Sequence, residues 1–435
     1  MTHAVRLHAC PPVDASIRPP GSKSITNRAL ICAALAEGPS CLRGVLDSED
    51  TEVMIGAWQQ LGVKLRHDRS AATVEIDGCG GALPISAADL YVANSGTTIR
   101  FLTAALAACH GEFRLSGVPR MHERPIADLL DALRQLGANV ESVNLDNPGC
   151  PPVHLQAQGL AGGSATVAGN ISSQFLSGLM MAAPLARQDV NLLVEGALVS
   201  VPYVEMTAEV MRAFGASIRG PVSGPFSIDV NHRYVGTDYS IEPDASAASY
   251  FWGAAAITGG RARVEGLSQS SLQGDVRFCE VLEQMGCHVK YERDAIEVTA
   301  AGPLRGVSVN MADISDTVQT LAAVALFAEG ATSVRGVAHN RVKETDRISD
   351  LARELEKLGA EVEEFHDGLR MIPPTKLKPA QIETYRDHRM AMSMALVGLQ
   401  CSGIEILDPD CTAKTYPEFW RDLELFSGCR VERLG

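Results

Sequence analysis

The chain has 435 residues, 46% of them hydrophobic and 21% charged, with a net charge of −14 at neutral pH. That length calls for two or more domains. That acidity argues against nonspecific binding of nucleic acid, which needs Lys and Arg against phosphates. The eleven cysteines contain no Cys-x-x-Cys pair, the closest two being Cys279 and Cys287. No metal site is expected from that spacing, and a reducing, cytoplasmic setting is. Met1-Thr2-His3-Ala4-Val5 opens no charged-then-apolar leader, and runs such as 251–257 are too short for a bilayer, so neither a signal peptide nor a membrane partner is expected.

In chain order, two signatures alternate. One reads as a helix stopped by Gly and followed by a strand, at Gly62, Gly137, Gly215, Gly286 and Gly359, spaced 75, 78, 71 and 73 residues apart. Gly at such a stop accepts positive φ. The other is a polar cap before a helix of small apolar residues, near Ser24, Thr97, Ser173, Asp244, Asp316 and Asp387, spaced 73, 76, 71, 72 and 71 apart. Six copies of about 73 residues fill the length, each with two helices and several short strands. Three copies to a domain predict two domains, with chain crossings near Pro19-Pro20-Gly21 and Gly236-Thr237-Asp238. Ligand binding in a cleft between two such domains is the common arrangement. Helix starts carry unsatisfied N–H groups and a positive dipole end, so starts that converged on one cleft would draw anions.

The motifs lie at those helix starts. Gly21-Ser22-Lys23-Ser24 with Arg28 looks superficially like a phosphate-binding P-loop but lacks its Gly-x-x-x-x-Gly-Lys spacing, which excludes nucleotide hydrolysis on that model. Lys23 and Arg28 still suit a phosphate or carboxylate; a solvated basic turn explains them equally. Asn94-Ser95-Gly96-Thr97, Ser172-Ser173-Gln174 and Ser200-Val201-Pro202-Tyr203 fit polar ligand contacts, or plain capped turns. Arg120 and Arg124, four apart beside a Pro-started helix, fit an anion clamp or a solvated turn equally. Asp316 caps the fifth small-residue helix or serves as a base. Arg341-Val-Lys343-Glu344-Thr-Asp346-Arg347 gathers five charges in seven residues, Asp387-His388-Arg389 sets a titratable His between acid and base, and Lys414 stands in a neutral loop. Together they predict an anionic small substrate, or two, and acid–base chemistry at Asp316, Glu344 and His388.

The order of these motifs resembles the 5-enolpyruvylshikimate-3-phosphate synthase family over essentially the whole chain. Further matches are Asp244-Ala245-Ser246, Gln273-Gly274-Asp275 and Leu407-Asp408-Pro409. The resemblance implies an inside-out α/β barrel of two domains, each of three βαβαββ repeats, with 21–239 forming one and 1–20 plus 240–435 the other. It implies shikimate 3-phosphate at Lys23, Ser24, Arg28, Ser172, Ser173, Gln174, Ser200, Tyr203, Asp316 and Lys343. It implies phosphoenolpyruvate at Lys23, Gly96, Arg124, Gln174, Arg347, Arg389 and Lys414. Lys23, Asp316, Glu344, His388 and Lys414 would be catalytic, in addition and then elimination through a tetrahedral intermediate. No metal or organic cofactor is implied, and a cytoplasmic monomer of aromatic amino-acid biosynthesis is. His339-Asn340, Thr98 and Phe101 depart from the common family pattern, which leaves phosphate contacts at the first two and glyphosate sensitivity at the others open. The competing readings are a UDP-N-acetylglucosamine enolpyruvyl transferase, whose Cys-loop is not found around 109–124, and a non-catalytic anion binder on the same scaffold.

Overall fold

The computed structural model describes residues 3–221 and 224–435; Met1 and Thr2, part of the leader reading, lie outside them. Twelve α-helices of the described residues are, in order, α1 (Lys23–Leu35), α2 (Glu49–Gln60), α3 (Gly96–Ala107), α4 (Ala127–Gln135), α5 (Ser173–Ala182) and α6 (Val201–Ala213), then α7 (Ala245–Thr258), α8 (Phe278–Gln284), α9 (Val318–Ala325), α10 (Arg347–Lys357), α11 (His388–Gly398) and α12 (Phe419–Ser427). They alternate between two types. The odd-numbered helices, α1 to α11, are buried on nearly every face, and every residue of α7 is buried. A helix without a polar face has to sit inside. α10 is the opposite type, with Leu351 and Leu355 inward and Glu356 and Lys357 outward.

Each repeat carries one four-stranded sheet with a single pairing scheme. Ala87–Tyr91 runs parallel to His110–Ser116 across α3. Val153–Gln158 then pairs antiparallel with that second strand, and Val140–Ser142 with the third. Six sheets share this order of one parallel and two antiparallel pairings. A crossover helix is what a parallel pair requires, and the hairpin closes the unit.

Two strands are exchanged where the chain crosses. Asp14–Ile17, which precedes α1, pairs with Arg261–Glu265 of the fourth repeat. Asp238–Ser240, which precedes α7, pairs with Glu37–Arg43 of the first. The N-terminal Ala4–Leu7 lies between Ile404–Leu407 and Val431–Leu434, completing the sixth sheet. The chain divides into two compact units, residues 1–20 with 242–435, and residues 21–241. The division follows Ile241, whose N–H still bonds the carbonyl of Arg43.

Within each unit three apolar helices form the centre: α1, α3 and α5 in one, and α7, α9 and α11 in the other. Small residues allow that packing. A Cβ on Gly253 of α7 would stand 3.1 Å from Leu396 of α11 and 3.2 Å from Thr320 of α9. Ser249, Thr320 and Ser393, one from each helix, satisfy one another in the same core at 3.0 and 3.2 Å. The five helix-stopping glycines all have positive φ, from 85° at Gly62 to 106° at Gly286.

Candidate active site

The motifs form several small polar groups in the 21–241 unit and one linked charge cluster in the other. In the 21–241 unit, Ser22 rather than Ser24 caps α1, its hydroxyl accepting from Ile25 N. That puts Lys23 and Ser24 in the first turn. Lys23 Nζ lies 3.4 Å from Asp50 of α2. Arg28, one turn on, is buried. Its Nε donates to Thr207 Oγ1 at 2.7 Å, Nη1 to the Ser24 carbonyl at 2.8 Å, and Nη2 to the Tyr203 carbonyl at 3.1 Å and Ser177 Oγ at 3.4 Å. Phe101 and Tyr203 lie under the guanidinium, 5.1 and 5.9 Å from ring centre to Cζ. Among the described residues every acceptor it reaches is neutral. Burial accordingly pushes its pKa down to about 10.

Ser200, just before α6, is held at φ 54°, a left-handed conformation that costs a non-glycine residue about 1–3 kcal/mol. Ser172 caps α5 by accepting from Gln174 N, and Ser173 is buried in the first turn. The Gln174 amide is fixed at both ends: Arg100 Nη1 donates to its Oε1 at 2.5 Å, and its Nε2 donates to Thr97 Oγ1 at 3.1 Å. Gly96, the first residue of α3, makes room for Arg124. A Cβ there would stand 2.3 Å from Arg124 Nη2. The guanidinium, itself buried, donates through Nη1 to the carbonyl and side chain of Asn94 at 3.0 and 3.2 Å.

In the other unit, Asp316 is not the cap expected of it. It lies in the turn Ser315–Thr317, and Thr317 stands at the start of α9. Its carboxylate goes to two arginines instead: Arg347 Nη1 at 3.1 Å and Arg389 Nη2 at 2.6 Å. Arg347, 2% exposed, also donates to Glu344 at 2.8 Å and to Asp387 at 2.6 Å. Lys414 Nζ reaches the other oxygen of Glu344 at 3.2 Å. Burial opposes the charge on Arg347, but Asp387, Glu344 and Asp316 outweigh it and raise its pKa. His388 is buried, its Nδ1 3.7 Å from Asp387 Oδ1, while Asp387 caps α11. Lys343 is half-buried. His339 is pushed down to about 3 by burial and then by Lys343 and Arg347, so it is a neutral ring at working pH. Asn340 Nδ2 bonds the Ser315 carbonyl at 3.0 Å, tying this loop to the Asp316 turn.

Three residues outside the expected set hold these clusters together. Asp50 faces Lys23, Arg100 fixes Gln174, and Asp387 links Arg347 to the start of α11. Asp387 stood inside a quoted motif and Arg100 lies three residues beyond another, but nothing local announced their partners. Asp50 is an ordinary first-turn acid in sequence.

The chain matches the family model described as EPSP synthase (3-phosphoshikimate 1-carboxyvinyltransferase) over residues 8–423. It is 49% identical over 409 residues to a 3-phosphoshikimate 1-carboxyvinyltransferase of Nostoc punctiforme, covering 94% of this chain and 95% of that one. It is 45% identical to the protein of the same name from a Shewanella strain, covering 98% and 99%. Among solved structures it is similar to an EPSP synthase from Acinetobacter baumannii, with a TM-score of 0.83, 27% identity, and 99% and 100% of the two chains covered.

Proposed function

The chain belongs to the EPSP synthase family, and on that premise we propose how its residues divide the transfer of the enolpyruvyl group of phosphoenolpyruvate to shikimate 3-phosphate. The observation that carries the assignment is the cluster in which two carboxylates, Asp316 and Glu344, are held by Arg347, Arg389 and Lys414. Groups fixed in place before the reaction need no reorganisation during it.

Shikimate 3-phosphate takes Lys23, Ser24, Arg28, Ser172, Ser173, Gln174, Ser200, Tyr203, Asp316 and Lys343. Arg28 suits this acceptor because its neutral surroundings leave its charge uncompensated. Phosphoenolpyruvate takes Lys23, Gly96, Arg124, Gln174, Arg347, Arg389 and Lys414.

Asp316 removes the proton of the 5-hydroxyl as its oxygen bonds C2 of phosphoenolpyruvate, and C3 gains a proton through Glu344, which takes it from the adjacent Lys414 ammonium. The tetrahedral adduct then returns that C3 proton to Glu344 and Lys414, the C2–O bond to the phosphate breaks, and the leaving phosphate takes up the proton held by Asp316. Lys414, beside Glu344, and Lys23 assist by balancing charge on the leaving phosphate. His388 joins the proton-transfer set through Asp387. The scattered spacing of the eleven cysteines suits a reducing cytoplasm, and we assign a monomer that works without a cofactor. Mixing the protein with both substrates tests the reading: one phosphate is released per shikimate 3-phosphate consumed, and none with either substrate alone. Phosphate release from phosphoenolpyruvate alone, at the same rate, would contradict it.

A further inference from the structure

The turn that leads into α11 is strained. Tyr385 and Arg386 have φ of 53° and 57°, the one place among the described residues where two consecutive non-glycine residues have positive φ. Asp387 N donates to the Thr384 carbonyl at 2.8 Å and closes the turn across them. Two positive φ values in succession are the pattern of a type I′ turn, which ordinarily carries Asn and Gly. A tyrosine and an arginine hold it only where their surroundings impose it. Directly after the turn, Asp387 accepts from Arg347 and caps α11, and Arg389 donates to Asp316.

α10 supplies the restraint. Its buried residues include Arg347, Asp350 and Glu354, at the three- and four-residue spacing that lines side chains along one helix face. Arg347 meets the acids of the charge cluster. Asp350 accepts from the hydroxyl of Thr345, the residue after Glu344. Glu354, 0% exposed, holds the chain at the turn: Oε2 accepts from Glu383 N at 3.1 Å, and Oε1 from the Tyr385 hydroxyl at 2.7 Å. Lys357 balances its charge at 2.9 and 2.8 Å and also reaches the Gln381 carbonyl at 3.4 Å. For stability alone, an apolar residue at 354 would often serve as well as a buried ion pair. What the carboxylate adds is two fixed acceptor oxygens, both bonded by the segment that delivers Asp387.

We propose that Tyr385 and Glu354 are positioning residues for the charge cluster: their bond keeps the 384–387 turn in its strained form and so fixes where Asp387 and Arg389 stand. Asp387 in turn orients Arg347, and the two arginines orient Asp316. The inference rests on the roles assigned above to Asp316, Arg347 and Arg389.

The test is kcat, both KM values and the melting temperature for the parent, Tyr385→Phe, Arg386→Gly, the double variant and Arg389→Gln. Tyr385→Phe removes only the hydroxyl. Its kcat falls by about ten-fold or more, in the direction of the 10²-fold that an ångström of misplacement costs. Its melting temperature is nearly unchanged. Its KM for shikimate 3-phosphate, whose assigned contacts include none of Asp387, Arg347 and Arg389, stays within about two-fold. Arg386 is exposed, and Arg386→Gly alone stays within about two-fold of the parent, since glycine accepts the left-handed backbone freely. Added to Tyr385→Phe, it restores kcat to within about three-fold, because the turn then holds with less restraint. Glu354→Gln, which offers one acceptor oxygen in place of two, carries the same test if Tyr385→Phe does not fold. Arg389→Gln raises KM for phosphoenolpyruvate. If it does so while Tyr385→Phe keeps the parent's kcat, or loses kcat that Arg386→Gly does not recover, the positioning role is overturned and the assignment of Arg389 stands. An Arg389→Gln protein with the parent's KM contradicts that assignment, and the inference falls with it.

Discussion

Arg28, in the second turn of α1, and Arg347, the first residue of α10, are both buried arginines, one in each unit, and they are held in opposite ways. Arg28 is surrounded by neutral oxygens and two aromatic rings, and its pKa is lowered. Arg347 touches three carboxylates, and its pKa is raised. The first is a charge removed from water and left for a ligand to neutralise. The second is already neutralised, and its fork geometry fixes where Asp316, Glu344 and Asp387 sit. One unit therefore stores binding capacity, and the other stores the position of its acids.

The comparison is most sharply broken at Asp316. Asp316→Asn keeps an acceptor for Arg347 and Arg389 but removes the base. Turnover falls by about 10²–10⁴-fold, while shikimate 3-phosphate binding, carried largely by the Arg28 side, persists in calorimetry. Turnover within a few-fold of the parent would reduce Asp316 to an anchor for the two arginines.

Gly96→Ala gives a smaller effect, confined to the 21–241 unit. Gly96 does not have positive φ, so Ala brings no backbone strain. Its methyl would instead collide with the end of Arg124, a side chain that can swing away. Phosphoenolpyruvate affinity falls by about 1–3 kcal/mol, with the melting temperature and shikimate 3-phosphate affinity nearly unchanged. Equal losses for both ligands with a lowered melt would show that Gly96 serves the fold and not Arg124.

Much of this was legible in the sequence where the cause is local. The glycines at 62, 137, 215, 286 and 359 announce helix stops because positive φ is a property of one residue and its neighbours. Asp244 and Asp387 announce helix starts for the same reason. Asp316 misleads because the partners that take its carboxylate, Arg347 and Arg389, are 31 and 73 residues away. The exchange of Asp14–Ile17 and Asp238–Ser240 between repeats is invisible for a similar reason: a four- or three-residue strand carries no mark of which sheet it joins. The Gly96–Arg124 contact was half legible. The glycine stood among the expected ligand contacts, but the volume it leaves belongs to an arginine of this chain.

The central claim is that Arg28 keeps its charge for the ligand, while Arg347, besides its part in the phosphoenolpyruvate site, holds three acids in place. Urea unfolding and shikimate 3-phosphate calorimetry on Arg28→Met and Arg347→Met test it most directly. Arg347→Met strands three buried carboxylates and costs about 3–5 kcal/mol of stability. Arg28→Met leaves Thr207 still bonded to Ser177 and to the Tyr203 carbonyl, so stability falls by no more than about 1 kcal/mol, while affinity for shikimate 3-phosphate falls by about 2–5 kcal/mol. An Arg28→Met protein as unstable as Arg347→Met, with its shikimate 3-phosphate affinity intact, would contradict the account.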